Sequence, residues 1–435
     1  MKSKAVLGVL WLLAAMAMGL ASASAAEKTS TDPRQQLPDP DGKPADMSKP
    51  VQVFILLGQS NMLGAGKIAG GEGSLENAVK AKNKYPYLVD DAGQWTERKD
   101  VRNVRVMGSG TGAMREFNNE WMTIKGKTIG PEYGIGHYVG HATDAPVMIL
   151  KSCIGNRSLG WDLLPPGSKS FEFEDKGKVW TYAGYKQSPM RWEKGTEPKP
   201  AGWYAGMQYD GDVANAKTVL ANLDKYYPGA KGYEVAGFFL WQGDKDRYDA
   251  GLAGRYELNL VHFIKQLRTD FNAPNAKFVC ATLGQTKKGA GGNEGKILEA
   301  QLVVDGRIGK YPDFKGNVAS VYSNPFCHGG ASNGHYGGNA ETYMDVGEAM
   351  GRAMAALLNQ PNAGAAAASA ARPVDDKKAK ILEENLTRRL TLAKNYLKSG
   401  STTNARRILS DLAEKWPDTP QGQEAAQLLE PATDK

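Results

Sequence analysis

The stretch VFILLGQSNMLGAG, Val53 to Gly66, runs five apolar residues into a glycine, a glutamine and a serine, then turns polar and glycine-rich. An apolar run of that length bounded by Gly reads as a strand buried on both faces. Its ending on Gly58-Gln59-Ser60-Asn61 admits two readings. One is punctuation, because Gly, Ser and Asn are ordinary turn residues. The other is chemical: in a parallel α/β sheet ligands bind in the crevice at the carboxyl ends of the strands, where a serine hydroxyl is well sited as a nucleophile.

Outward from this stretch the chain alternates. Apolar runs at 51–58, 145–153, 233–243, 276–284 and 318–323 read as strands. Helical spacing fills 131–142, 213–227, 252–271 and 293–308, and a last helix is expected at about 339–359. Strand-helix alternation predicts an α/β fold with a doubly wound, mostly parallel sheet. The pattern breaks at 162–205, an insertion carrying Trp180, Tyr182, Tyr185, Trp192 and Trp203 among Pro, Gly and charge. Such aromatics serve either as a stacking surface for sugar rings or as a local core that pins the loop.

The flanks differ from this core. Residues 1–25 combine Lys2 and Lys4, an apolar run and the small residues Ala23-Ser24-Ala25, the pattern of a secretory signal peptide. The chain is then expected outside the cytoplasm, secreted or periplasmic, with no membrane span after cleavage. Residues 26–50 read as an extended leader and 361–378 as an Ala- and Pro-rich linker. From 379 to 430 helical periodicity returns as a small α-helical hairpin. Ala393, Tyr396, Gly400, Ala405 and Pro417 give it a resemblance to a tetratricopeptide unit, and a protein partner is one use for such helices.

Hydrophobic residues make up 41% of the chain and charged residues 23%, ordinary values for a globular protein. The net charge of +7 is scattered, so no nucleic-acid footprint is read from it. Cys153, Cys280 and Cys327 are an odd set; the first two lie in or at the end of apolar runs and are expected as buried free thiols.

A serine nucleophile requires a base, and the chain has five histidines. His137 and His141 stand one helical turn apart without a third metal ligand, so a half-exposed helix face is expected rather than a metal site. His262 lies mid-helix among apolar residues and reads as packing. His328 and His335 fall in the loop CHGGASNGHYGGNAETY, after the last strand, where a base can meet Ser60 at the shared sheet edge.

The segments GQSNM at 58–62, KSCIGNRSLGW at 151–161, LWQGDKD at 240–246 and HYGGNAETYMDVGEAMG at 335–351 resemble, in order and spacing, the blocks of SGNH hydrolases. The branch they are most similar to is the sialate O-acetylesterase and carbohydrate esterase family six group, which IGPEYGIGH at 129–137 also resembles. The resemblance covers about 51–360. It implies a flavodoxin-like sheet and a carbohydrate O-acetylesterase that needs no metal or cofactor and takes an acetylated carbohydrate as substrate. Ser60 is the implied nucleophile and His335 the implied base. The implied oxyanion donors are the Ser60 backbone N–H, the backbone of Gly155 and Asn156, and the Gln242 side-chain amide. Arg157 is an added cation beside the site.

One position departs from the family. Many relatives carry an Asp three residues before the catalytic His, and Ser332 stands there. Either Ser60 and His335 act as a dyad, with Asp244 or Asp246 in support, or one of those two acids is a displaced third member. The missing acid also leaves open a glycan-binding protein with weak or lost catalysis. A lipase or thioesterase on the same fold fits the polar, aromatic insertion less well.

Overall fold

The computed structural model describes residue 37 and residues 44–108, 112–359, 386–387, 389–397, 401–415 and 419–429. The expected signal peptide and linker lie outside the described residues.

The centre is a seven-stranded sheet. Its strands are β1 (Val51–Gly58), β2 (Arg98–Met107), β3 (Arg115–Met122), β4 (Val147–Ser152), β8 (Tyr233–Trp241), β9 (Lys277–Ala281) and β10 (Val318–Val321). Strands β5 (Phe171–Asp175), β6 (Lys178–Tyr182) and β7 (Arg191–Glu193) form a separate three-stranded sheet. Across the central sheet the order is β10-β9-β8-β1-β4-β2-β3, parallel except for the antiparallel β2–β3 pair. Strand β1 lies between β4 and β8, so the order reverses around it. The crevice at that switch point opens beyond Gly58 and Trp241, which face each other in register.

Why β1 reads as a continuous apolar run is plain from its two faces. Phe54 and Leu56 enter one core with Tyr133 and Ile135 of helix α2 (Glu132–His141) and Tyr343 and Met350 of helix α6 (Ala340–Leu358). Val51, Val53, Ile55 and Leu57 enter the other. That core also holds Tyr209 of α3 (Met207–Ala221), Leu260 of α4 (Ala250–Asp270) and Ile297 of α5 (Gly292–Val303). Each such side chain, fully buried, contributes about 1.5–3 kcal/mol. Helices α2 and α6 approach closely because a Cβ on Gly134 would stand 2.5 Å from the Glu348 amide nitrogen, a contact only glycine permits.

Two findings differ from the sequence reading. Strands β2 and β3 were not expected, because RKDVRNVRVM and REFNNEWM are rich in charged and amide residues and hold no apolar run. Val101 is nonetheless fully buried on one face and Val104 and Val106 on the other, and Arg102 is itself buried, lying over the Trp121 ring at 4.9 Å and donating to the Tyr226 carbonyl at 3.0 Å. The insertion is also ordered rather than irregular. Its sheet is pinned to the start of α4, where Tyr182 stacks on Phe171 at 4.8 Å and donates to Asp249 at 2.7 Å, and Arg191 pairs with Asp249 at 2.8 Å. These rings build a local aromatic core.

The C-terminal part holds helical residues between 386 and 397, then α7 (Thr402–Lys415) and α8 (Pro420–Leu429). The expected second helix is thus two helices, with Pro420 at the first position of the later one, where its missing N–H costs nothing. Leu386, Leu390, Ala393, Leu409, Leu412 and Ala425 form an apolar cluster of their own.

Candidate active site

The strand β1 ends on Gly58 for a steric reason. Gly58 has φ 145°, and a Cβ there would stand 2.4 Å from the Trp241 carbonyl oxygen. Past that close approach the chain turns into a single helical turn, α1 (Ser60–Leu63), with Ser60 half-buried at its start. Behind the turn lies a buried ion pair. Lys151, 1% exposed, donates to the Leu63 carbonyl at 3.0 Å and to Glu132 at 2.5 Å, and Glu132 also accepts from the Gly130 amide at 3.2 Å. The far end of the Ser60 turn is therefore clamped by charge held out of water, where such a pair is strong while intact.

His335 arrives on the opposite side. Residues His335, Tyr336 and Gly337 all take left-handed backbone (φ 52°, 52° and 63°), which non-glycine residues adopt only when their surroundings compel it. Here the compulsion is aromatic. The fully buried Tyr336 stacks on Trp241 at 5.7 Å and 16°, and Tyr343 meets both rings edge-on. Polar ties complete the join: Asn61 donates to the Ser332 carbonyl at 3.4 Å, and the Tyr343 hydroxyl lies 3.3 Å from both the Asn61 side-chain oxygen and the His335 carbonyl. The segment carrying His335 thus packs on the turn carrying Ser60. Among the described residues the His335 ring has no hydrogen bond.

The two candidate acids sit in different settings. Asp246 is fully buried and accepts from the Leu159 amide (2.8 Å), the Gly160 amide (2.8 Å) and Gln242 (2.7 Å). Burial pushes its carboxyl up to about 6, against the pull of those donors. Its bonds hold the 159–160 loop and Gln242, and none reaches His335. Asp244 accepts from Ser332 Oγ at 2.5 Å and from Arg247 Nε at 2.9 Å. Ser332, where the resemblance leads one to expect an Asp, therefore carries a carboxylate at one remove.

Gln242 is a buried hub. Its amide nitrogen is within hydrogen-bond distance of Gln59 Oε1 (3.2 Å), the Arg157 carbonyl (2.9 Å) and Asp246 (2.7 Å), while its oxygen accepts from Tyr256 at 2.7 Å. Two amide hydrogens facing three acceptors leave none for a developing oxyanion, so its geometry differs from the expected donor role. Gly155 is beside the serine, since a Cβ on it would lie 3.5 Å from Ser60 Cβ. Asn156 follows in left-handed conformation at φ 56° and is exposed. Arg157 lies over the Trp203 ring at 4.7 Å and donates to the Asn156 carbonyl at 3.2 Å.

Sequence reasoning missed Lys151, Glu132, Tyr336 and Arg247. A signal for the first was available, because Lys151 interrupts the apolar run of β4 at its buried end. The remaining histidines lie elsewhere. His137 is buried rather than half-exposed, packs against Tyr87 at 4.5 Å, and is pushed well below the ordinary imidazole range by that burial. His141 and His328 are exposed, and His262 is half-buried with Nδ1 3.3 Å from Ser168 Oγ. No metal-binding cluster of His, Cys, Asp and Glu occurs among the described residues. The three cysteines are free thiols, with burial pushing Cys153 and Cys280 up to about 12.

A protein from Arabidopsis thaliana has a solved structure that is 19% identical over 72% of this chain and 99% of its own, at a TM-score of 0.40. A carbohydrate acetylesterase from Xanthomonas citri is 14% identical over 69% and 54%, at 0.42. NanS is 13% identical over 63% and 78%, at 0.33. No curated protein matches the chain. Residues 186–355, which include Gln242, Asp244, Asp246 and His335, match the family described as carbohydrate esterase, sialic acid-specific acetylesterase.

Proposed function

We propose that the protein is an exported serine esterase that removes O-acetyl groups from carbohydrate through an acetyl-enzyme. Ser60 Oγ attacks the acetyl carbonyl carbon while His335 takes its proton. The carbonyl oxygen, now an oxyanion, is held by the backbone N–H of Ser60 and the backbone of Gly155 and Asn156, donors aimed at charge that exists only in the transition state. His335 then returns the proton to the departing sugar oxygen, and water, activated by the same imidazole, releases acetate from Ser60.

The observation that carries this reading is the join between the Ser60 turn and the His335 segment, made by Asn61, Ser332 and Tyr343. Ser60 and His335 form the working dyad in this reading, and the Asp244–Ser332 pair supports the loop. The test is turnover of p-nitrophenyl acetate, acetylated xylan and O-acetyl sialic acid by wild type and Ser60→Ala. A serine-directed organophosphate should label the peptide spanning 58–66; labelling elsewhere with loss of activity rejects Ser60.

A further inference from the structure

Tyr248 is the third residue of the turn Asp246–Tyr248, and its side chain is unusual for a large aromatic in being 61% exposed. Exposed tyrosines ordinarily keep their rotamer freedom. This one does not, because Arg247 fixes it: the guanidinium lies 4.3 Å from the ring centroid and Nη2 donates to the Tyr248 hydroxyl at 2.6 Å. Arg247 in turn has no freedom left. Its Nε donates to Asp244 at 2.9 Å and its Nη1 to Glu294 at 2.7 Å, so all three guanidinium nitrogens are committed. The ring is thus presented to solvent in one pose, with the ordering entropy already lost before any ligand arrives.

Its place matters as much as its rigidity. The preceding residues border the nucleophile, since the Lys245 amide donates to Gln59 Oε1 at 3.3 Å, one residue before Ser60. Asp244, which anchors Arg247, also receives Ser332 Oγ from the segment that carries His335. A fixed apolar face with a hydroxyl at its edge, on the turn whose Lys245 and Asp244 bond to the segments carrying Ser60 and His335, matches the C–H face and hydroxyl fringe of a pyranose.

We propose that Tyr248 is a substrate-binding platform on which the sugar ring bearing the acetyl ester stacks, held ready by Arg247, Asp244 and Glu294; this rests on the esterase reading of the same crevice. The full chain is assayed on acetylated xylo-oligosaccharide and O-acetyl sialic acid, and binding of xylotetraose and N-acetylneuraminic acid is read separately by saturation-transfer NMR. Tyr248→Ala should raise KM for the sugar ester about tenfold with kcat changed by less than about twofold, the scale of one lost aromatic stack. Tyr248→Phe, which keeps the ring, should stay within about threefold of wild type. Melting curves of both variants check that they fold. An unchanged KM together with unchanged sugar binding in Tyr248→Ala overturns the platform, as does equal loss in the Ala and Phe variants or a fall confined to kcat. A wild type that binds these sugars through Tyr248 but hydrolyses neither ester rejects the esterase reading and leaves the platform standing.

Discussion

Ser60 and His335 are held by opposite means. The Ser60 turn is secured by buried polarity: a glycine close approach in front, the Gln59–Gln242–Asp246 hydrogen bonds beside it and the Lys151–Glu132 pair behind. The His335 segment is secured by aromatic packing that forces consecutive residues into left-handed backbone. Hydrogen-bonded charge fixes direction sharply but depends on every partner being present, whereas stacked rings fix a position through area and tolerate loss of a polar contact. The Ser60 side should therefore be sensitive to charge and pH, and the His335 side to side-chain volume.

The largest expected effect removes the two groups proposed to react. Ser60→Ala and His335→Ala should each lower kcat on the order of 10⁴- to 10⁶-fold without a change in melting temperature, since residues that act as one unit fail together. If His328→Ala is the inactivating change, the base assignment is wrong.

Next is the clamp behind Ser60. Lys151→Met leaves Glu132 buried without its cation and should cost about 3–5 kcal/mol in urea unfolding at pH 7, while Lys151→Met with Glu132→Gln should recover most of it. Equal losses in the single and double variants would mean that the pair contributes through volume, like the aromatic side.

Asp246 gives the pH dependence. Its folded carboxyl stands at about 6 against an ordinary value near 3.8, so the stability it contributes is complete below about pH 4 and is lost as pH rises through 6. For a fully buried group that shift corresponds to about 3 kcal/mol. The stability advantage of wild type over Asp246→Asn should accordingly narrow between pH 4 and 7. A constant difference would show that the donors from Leu159, Gly160 and Gln242 cancel the burial.

The smallest effect separates dyad from triad. Asp244→Asn should lower kcat roughly tenfold or less, because its contact with the base segment runs through Ser332, whereas an acid that directly orients the imidazole is worth about 10⁴. A loss in folded Asp244→Asn that matches His335→Ala would make Asp244 the third catalytic member.

The nucleophile side was legible because strand and turn write themselves in local sequence. An apolar run, Gly58 and Ser60 fall within a few residues, and the doubly wound order follows from repeated alternation. The base side was legible only as an ordered block. Nothing local in GHYGG announces that Tyr336 will lie under Trp241, since that contact joins positions far apart in the chain. Strands β2 and β3 were hidden by arginines that serve as packing surface, and the three strands of the insertion by the glycines and prolines around them. Gln242 was singled out from its block, but of its partners only Asp246 lies in that block, while Gln59, Arg157 and Tyr256 come from three other segments, and together they decide what its amide can do.

The 2.5 Å contact between Ser332 and Asp244 also constrains how this chain can change over time. Introducing an aspartate at 332 alone would set two carboxylates against each other, and one would have to hold a proton to stay there. An acid at 332 thus requires a change at position 244 first, with loss of its charge releasing Arg247 and the exposed ring of Tyr248. A single substitution that looks like repair would be a setback, and the two sites are open to exchange only as a pair.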